Sequence, residues 1–406
     1  MKMSVNATTQ REARIQNVAV IGAGLGGLAV TYHLLAMGRR MGEPTSVNLY
    51  DAHGIGAGAS GAAAGILHPC SPKGKVTWNG VPAMAAALKL IHAAELAAQR
   101  KGCELPICWR NGVIRVAKDS KQVENYRELG LSSSAVECLS LAEASDLVPG
   151  LIPPELDGVD GAALWIKEGA VIHPQRYMQY LWHACEDLVE SDPNGKLNFR
   201  TEAIESLEDV KGQYDAIVVA AGAATGAIKE LADEISMRLC QGYTLEMADK
   251  QQVPSSQEIT PSLLGEPYIG FQGSGSLVLG ATREYDWTPE NSFLEAGGRA
   301  VSESDCPGAV SSLKESGAGI WGPLENWEVV RIRSGVRALT SMTNTGAMPY
   351  AGKVHLESVQ PECWLATGLG ARGVLYHAWL GELLAKAIID GDEGILPPEL
   401  RRWKKN

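Results

Sequence analysis

Three glycines and one carboxylate are the first residues in the chain whose types and spacing could do chemistry. Gly22, Gly24 and Gly27 form a G-x-G-x-x-G turn directly after residues 18–21, a short apolar β-branched run typical of a buried strand. Such a turn before a helix lets the backbone approach a pyrophosphate at the positive end of that helix. Asp51 follows at the distance where an acid commonly binds ribose hydroxyls. We therefore predict a dinucleotide site, against the alternative of a tight strand–helix turn without a ligand.

A second glycine cluster lies more than 300 residues further along the chain. Residues 366–373 read ATGLGARG and precede an apolar helix that we predict to end near residue 390. One interpretation is a second nucleotide site, and the other is that both turns hold opposite ends of one long cofactor. FAD is such a ligand, and a helix N-terminus beside its flavin ring would stabilise the negative charge of the reduced form. We expect the two turns to grip one FAD.

The segment from residue 53 to 69 is unusually rich in Gly and Ala. A stretch with almost no side chains builds no core of its own but suits a backbone pressed against a large flat ligand. A flexible linker is the alternative, although this stretch runs into the apolar Ile66 and Leu67. We predict that it contacts the cofactor.

The elements that must position these segments are those of a chain that leaves a parallel α/β sheet and later returns to it. We predict helices over residues 25–37, 82–101 and 174–189, and strands over residues 107–117, 162–167, 197–199, 215–221, 327–334 and 364–367. Alternating strands from residue 237 to 283, with a hairpin turn at 273–275, indicate a mostly antiparallel second domain. A polar, partly helical insertion is expected at 119–150, and a surface loop with helical fragments at 295–320.

Composition and charge restrict the possible partners. A length of 406 residues is enough for two domains, and a net charge of −11 argues against a nucleic-acid or anionic-membrane surface. The eight cysteines are scattered without metal-ligand spacing, which predicts reduced thiols in an intracellular protein and no metal site. We find no run of about 18 uncharged apolar residues that would span a membrane. Residues 1–16 are polar and lack the apolar core of a secretory signal, so we expect a cytoplasmic or organellar protein that is not secreted.

Six segments, taken in order, resemble the FAD-dependent D-amino-acid oxidase family, and its glycine oxidase branch most. They are VAVIGAGLGGLA, GASGAAAGILHP, YDAIVVAAGAAT, PYIGFQGSGSLVLGATREYDW, IRSGVRALTSMTNTGAMPYAG and ATGLGARGVLYHAWLGELLAKAI. The resemblance covers about residues 17–390. It implies an α/β fold with a discontinuous Rossmann-like FAD-binding domain and a substrate domain of mostly antiparallel sheet plus helices. We expect the FAD-binding domain at residues 15–105, 170–236 and 327–395, and the substrate domain at 106–169 and 237–326.

The glycine turns and the resemblance together predict which positions contact FAD. They are Gly22, Gly24, Leu25, Gly27, Asp51, Ala52, Ser60, Gly61, Ala64, Gly65, Leu67, Ala221, Gly222, Gly368, Gly370, Ala371, Arg372, Gly373 and Val374. In sarcosine-oxidase relatives, a cysteine near the VRALT segment carries a covalent flavin. No cysteine lies between residues 331 and 349 here, so we expect FAD to be bound non-covalently.

The resemblance also implies three catalytic candidates. Arg337 matches the arginine that holds the substrate carboxylate, a task that a planar guanidinium performs bidentately; the alternative is a surface or interdomain salt bridge. Tyr268 matches an active-site tyrosine, against a core tyrosine with a bonded hydroxyl. Arg372 is placed near the flavin, where it could contact a flavin carbonyl or the substrate, or act structurally.

Some positions depart from the family pattern or carry no predicted chemistry. The proline that follows the family's arginine is Ala338 here, and its Asp-Gly pair is Thr345-Gly346, which puts the usual glycine or D-amino-acid substrate in doubt.

His68 and His377 flank the two glycine-rich turns, and we expect them to pack rather than to act as bases. Tyr376 and Trp379 are also expected to pack.

The predicted activity is oxidation of a small amine or amino acid by hydride transfer to flavin N5, which gives an imine, with oxygen or another electron acceptor reoxidising the flavin. This chemistry depends on positioning more than on a strong base. The alternatives are a flavin oxidoreductase acting on a hydroxy acid or a modified tRNA base, a non-catalytic flavin-binding protein, and a nicotinamide dehydrogenase.

Overall fold

The computed structural model describes residues 16–43, 45–156, 158–190, 192, 195–250, 260–273, 275–285, 300–356 and 362–404. The strands are β1 (Asn17–Ile21), β2 (Ser46–Asp51), β3 (Ile66–Leu67), β4 (Cys108–Trp109), β5 (Val113–Val116), β6 (Glu137–Ser140), β7 (Ala162–Ile166), β8 (Ala170–Ile172), β9 (Lys196–Thr201), β10 (Ala216–Val219), β11 (Arg238–Asp249), β12 (Ser262–Leu263), β13 (Tyr268–Phe271), β14 (Ser276–Gly280), β15 (Ala300–Val301), β16 (Trp327–Leu339), β17 (Tyr350–Val354) and β18 (Glu362–Thr367). The helices are α1 (Leu25–Met41), α2 (Gly80–Arg100), α3 (Ser120–Ser132), α4 (Leu141–Leu147), α5 (Pro174–Glu190), α6 (Ala309–Ala318) and α7 (Gly373–Asp390).

The first sheet has six strands in the order β17-β18-β10-β1-β2-β9, and every neighbouring pair is parallel except β17–β18. Successive residues of β1 point to opposite faces. Val18 and Val20 therefore join the core beneath the helices, while Ala19 and Ile21 join a second core on the other face. Burial on both faces explains the continuous apolar run, and the Rossmann-like fold predicted from it is confirmed.

Four helices, α1, α2, α5 and α7, cover one face of this sheet. Helices α1 and α7 pack closely, and a Cβ added at Gly381 would lie 2.8 Å from the Cβ of Ala29. By length and composition alone, α2 could cross a membrane, but half of its apolar window is buried in the protein, as in a core helix. The packing of α1 on α7 joins the two glycine-rich segments of the sequence.

The second sheet has nine strands in the order β15-β16-β11-β14-β13-β12-β5-β7-β6, and only β12–β5 is parallel. A third, small antiparallel sheet, β3-β8-β4, is not hydrogen-bonded to either of the large sheets. The predicted mostly antiparallel sheet is confirmed. Its β13 and β14 form the expected hairpin, although residue 274 lies outside the described residues.

Several element boundaries differ from those predicted. Helix α1 continues to Met41 rather than residue 37, and the single strand expected over 107–117 is two strands in different sheets, because the chain turns at Gly112, where φ is +77°. Strand β16 continues to Leu339 rather than residue 334, since β11 pairs with it along that whole length. The leader at 1–15 and residues 295–299 of the expected surface loop lie outside the described residues.

The division into domains stays a prediction. The six-stranded sheet draws its strands from the segments assigned to the FAD-binding domain. The expected boundary at residue 327, however, places β16 in that domain, whereas β16 pairs within the nine-stranded sheet.

Candidate cofactor and substrate site

A single cavity of about 900 Å³ is lined by residues of both large sheets and of both glycine turns. Cofactor sites commonly occupy roughly 300–1,000 Å³. Of the positions predicted to contact FAD, those that line it are Gly22, Gly24, Leu25, Asp51, Ala52, Ser60, Ala64, Gly65, Ala221, Gly222, Gly368, Gly370, Ala371, Gly373 and Val374. Gly27, Gly61, Leu67 and Arg372 do not line it.

The first glycine turn forms one end of the cavity. Gly22 has φ +107° and donates from its backbone N–H to the carbonyl of Tyr50 over 2.7 Å. A Cβ at Gly27 would lie 1.8 Å from the Gly22 carbonyl oxygen, so Gly27 allows α1 to begin directly against the turn. The first turn of a helix leaves its N–H groups without intrahelical partners, and they carry the positive end of the helix dipole. The N-terminus of α1 is therefore suited to an anionic group.

Asp51 at the end of β2 supports this turn. Its Oδ2 accepts from the backbone N–H of Ala23 at 2.8 Å, and its Oδ1 accepts from those of His53 at 2.9 Å and Gly54 at 3.0 Å. An ionised carboxylate has about four acceptor positions. Capacity thus remains for the ribose hydroxyl that the sequence predicts, a contact that stays a prediction.

The second glycine turn lies against the first. Gly368 and Gly370 have φ +70° and +54°, and they lead into α7, whose first residues Gly373 and Val374 line the cavity. A Cβ at Gly26 would lie 3.5 Å from Cδ1 of Leu369. The two turns are therefore in contact although they are more than 300 residues apart in sequence, and both helix N-termini open onto one cavity.

The wall that joins the two turns is made almost entirely of backbone. Every lining residue between 57 and 65 is Gly, Ala or Ser. Ser60 adds one polar contact, since its Oγ accepts from the N–H of Leu25 at 3.1 Å. A smooth wall between two helix N-termini fits a long ligand with an anionic centre and a flat ring, as FAD is.

Arg337 enters the cavity from β16. Its Nη2 donates to the carbonyls of Thr282 at 2.5 Å and Gln241 at 3.4 Å. Its guanidinium lies over Gly242, where a Cβ would be 2.1 Å from Nη2. No carboxylate within the described part of the chain forms an ion pair with Arg337. Because a guanidinium has five N–H donors, this half-buried side chain keeps donors for a ligand carboxylate.

Tyr268 on β13 lines the same cavity. It pairs with Gly280 of β14, which in turn pairs with Thr244 of β11, so these residues share one face of the sheet with Arg337. Within the described residues, the hydroxyl of Tyr268 has no hydrogen-bond partner, unlike the hydroxyl of Tyr214. The roles predicted for Arg337 and Tyr268 stay predictions, but the structure brings the two side chains to one wall.

Residues near the second turn include a buried histidine. His377 is fully buried; its Nδ1 lies 3.0 Å from the carbonyls of Gly373 and Val374, and its Nε2 lies 2.7 Å from Oη of Tyr177. Burial lowers the pKa of His377 to about 4, so the ring is neutral at pH 7 and donates from Nδ1. These contacts are those of a packing residue that fixes the first turn of α7. Arg372 lies outside the cavity wall, and its predicted contact with flavin or substrate stays a prediction.

Several lining residues were not singled out from the sequence. Gly242 and Arg283 line the cavity at its Arg337 end, and residues 202–205 line it beside Asp51. A glycine within the strand pattern of β11 is the signal that could have identified Gly242, because such a glycine often marks a close approach. Residues 202–205 carry no comparable signal; they reach the cavity because β9 pairs in parallel with β2.

The comparisons with known proteins agree with this geometry. The family model described as FAD dependent oxidoreductase matches residues 17–387. An uncharacterized oxidoreductase, YurR, from Bacillus subtilis (strain 168) is 26% identical over 92% of this chain and 95% of its own length. The tRNA 5-methylaminomethyl-2-thiouridine biosynthesis bifunctional protein MnmC from Thiobacillus denitrificans is 26% identical over 95% of this chain, which spans only 58% of that protein.

Solved structures share the fold. Iminodiacetate oxidase from Chelativorans sp. BNC1 superposes with a TM-score of 0.70 and 21% identity, over 95% of this chain and 98% of that one. Glycine oxidase from Geobacillus kaustophilus also superposes with a TM-score of 0.70 and 21% identity, over 94% of this chain and 96% of that one. At these identities the likeness concerns the fold.

Proposed function

Because this chain belongs to the FAD dependent oxidoreductase family, we propose that it oxidises a small amine or amino acid and that its FAD is bound non-covalently. Among the described residues that line the cavity there is no cysteine, which favours non-covalent binding. The structural neighbours named for glycine and iminodiacetate favour an amine substrate.

The observation that carries the proposal is the guanidinium of Arg337. It lies in the cavity wall, has backbone carbonyls as its partners, and forms no ion pair with a described carboxylate. A charged group in that position is costly to bury without a counter-charge. A carboxylate on the substrate would supply that charge and would gain a charge-assisted, bidentate contact. The substrate is therefore an amine that carries a carboxylate.

The residues of this chain position the substrate. Bound FAD supplies the acceptor for a hydride that leaves the carbon next to the substrate nitrogen. Arg337 fixes the carboxylate, which restricts rotation of the neighbouring carbon, and Tyr268 offers its hydroxyl from the same wall. The buried His377 is neutral and bonded on both nitrogens, so it takes no proton from the substrate. Water hydrolyses the released imine.

A modified tRNA base is the second candidate, favoured by the similarity to MnmC. The chain spans 58% of that protein. A net charge of −11 opposes this candidate, because it is unsuited to a polyanion. A hydroxy acid would use the same carboxylate anchor and differs only in the atom that loses its proton. Direct assay separates these substrates.

The experiment is anaerobic mixing of the FAD-loaded protein with small amines, hydroxy acids and methylaminomethyl-type tRNA substrates, followed by flavin absorbance. Reduction by carboxylate-bearing amines alone is expected. Loss of one charge-assisted contact costs about 1.5–3 kcal/mol, so Arg337→Met should slow reduction about 10- to 100-fold at subsaturating substrate. Arg331→Met is the matched control, since Arg331 is an exposed arginine of the same strand. If no amine bleaches the flavin, or Arg337→Met behaves like Arg331→Met, the proposal is wrong.

A further inference from the structure

A second arginine belongs to the same wall as Arg337. Beyond β14, the backbone continues beside β11: Thr282 donates to the Tyr243 carbonyl at 3.2 Å, and Glu284 and Gln241 exchange two N–H···O bonds of 2.9 Å. This register sets Arg283 opposite Gly242. Directly opposed residues of neighbouring strands share a face, and Arg283 indeed lines the cavity.

The two arginines lie on either side of Gly242. Arg337 belongs to β16 and Arg283 to the segment on the other side of β11, so their backbones are two strand spacings apart across the sheet, roughly 9.6 Å. They are also offset by two residues along the strands, because Arg337 pairs with Cys240. Since Gly242 has no side chain, the guanidinium of Arg337 lies directly over it. Arg337 and Arg283 are thus two long cationic side chains on the same wall of the cavity.

The present partner of Arg283 is weakly held. Nη1 of Arg283 lies 3.4 Å from Oε1 of Glu266, and the two side chains are 49% and 79% exposed. Exposed pairs of this kind contribute roughly 0–1 kcal/mol. Among the described residues that line the cavity at its Arg337 end, Arg283 and Glu266 are the other charged side chains. Their ion pair is weak enough for a ligand carboxylate to replace Glu266.

We propose that Arg283 determines specificity by binding a second carboxylate, so that the substrate is an amine with two carboxylates. The inference rests on the proposed function, in which Arg337 holds the first carboxylate. The second carboxylate replaces Glu266 as the partner of Arg283, and the side chain of Glu266 rotates into the solvent. Glu266 then acts as an internal competitor that lowers the affinity for the second carboxylate.

The test compares two achiral amines that differ only in one charge, N-(carboxymethyl)glycine and its monoamide, N-(carbamoylmethyl)glycine. The rate of anaerobic flavin reduction is measured against the concentration of each compound, in wild type, Arg283→Gln and Glu266→Gln. Arg238→Gln is the matched control, because Arg238 lies outside the cavity wall and stacks on Tyr285. Thermal unfolding of each variant verifies the fold.

We expect wild type to half-saturate with the diacid at a concentration about tenfold lower than with the monoamide. Arg283→Gln should abolish that preference through weaker diacid binding, and Glu266→Gln should strengthen it. Equal effects on both compounds, or none, would overturn the role of Arg283 and leave the proposed function standing. Weaker diacid binding in Glu266→Gln would also overturn it. Failure of every amine to reduce the flavin would overturn both proposals.

Discussion

Gly242 lies directly beneath the guanidinium of Arg337. A Cβ at Gly242 would be 2.1 Å from Nη2 and 2.6 Å from the Thr282 carbonyl oxygen, so neither an alanine nor anything larger fits without displacing the arginine. We expect Gly242→Ala to raise the substrate concentration for half-maximal flavin reduction about tenfold, through loss of roughly one charge-assisted hydrogen bond. FAD content should not change.

Gly226→Ala is the control for that substitution, since a Cβ there meets nothing within 4 Å. Titration of substrate against the rate of flavin reduction measures the effect. An unaltered half-saturation in Gly242→Ala would show that the contact between Gly242 and Arg337 does not position the carboxylate anchor.

The crossing of α1 and α7 should control the affinity for FAD. A Cβ at Gly381 would lie 2.9 Å from the Ala29 carbonyl carbon and 3.0 Å from the Val30 nitrogen, so Gly381→Ala must separate the two helices. Overpacking of this kind costs about 1–3 kcal/mol. We expect the dissociation constant for FAD to rise, because the two glycine turns move apart. Fluorescence titration measures it, with Gly319→Ala as the control, where a Cβ makes only ordinary contacts; equal FAD affinities would contradict the expectation.

Tyr268→Phe should separate catalysis from stability. Since the hydroxyl of Tyr268 has no partner among the described residues, its removal should change the free energy of unfolding by less than about 0.5 kcal/mol. Loss of a substrate hydrogen bond should lower kcat/KM about tenfold. Tyr214→Phe should do the opposite, because the Tyr214 hydroxyl lies 2.6 Å from that of Tyr50 in the core. Urea unfolding and steady-state kinetics test both variants, and a destabilised Tyr268→Phe with normal kinetics would assign Tyr268 to the core.

The pH dependence of stability should report His377. Burial lowers its pKa from 6.5 to about 4, so between these values the unfolded chain binds more protons than the folded one. Stability therefore falls as the pH falls through this window, by up to about 1.4 kcal/mol per pH unit for one group. Burial also lowers the pKa values of His33, His68 and His173. His377→Gln should therefore reduce the slope below pH 6.5 by the share of one group, whereas the exposed His92→Gln should not reduce it. Urea unfolding at saturating FAD from pH 7 to 4 gives the slopes, and equal slopes in the two variants would exclude His377.

The small residues around Gly22 and Gly368 were enough to predict a Rossmann-like parallel sheet and one shared cavity, because glycines at strand–helix turns report on the backbone itself. The family's segments then led to Arg337 and Tyr268. Periodicity could not place Arg283 opposite Gly242, since that relationship depends on a register between strands distant in sequence. The end of β16 was missed for the same reason: it is fixed by pairing with β11 rather than by local composition.

The contact between the two glycine turns has a consequence for biosynthesis. β1 pairs with β10, and β10 with β18, so the sheet is completed only when residues near its last strand have been synthesised. α7 follows β18, and its packing on α1 closes the cavity. A nascent chain that already carries Gly22, Gly24 and Gly27 thus still lacks the part of the cavity that is lined by Gly373 and Val374. We therefore expect FAD to bind late, after translation has passed Gly373 and α7 has docked.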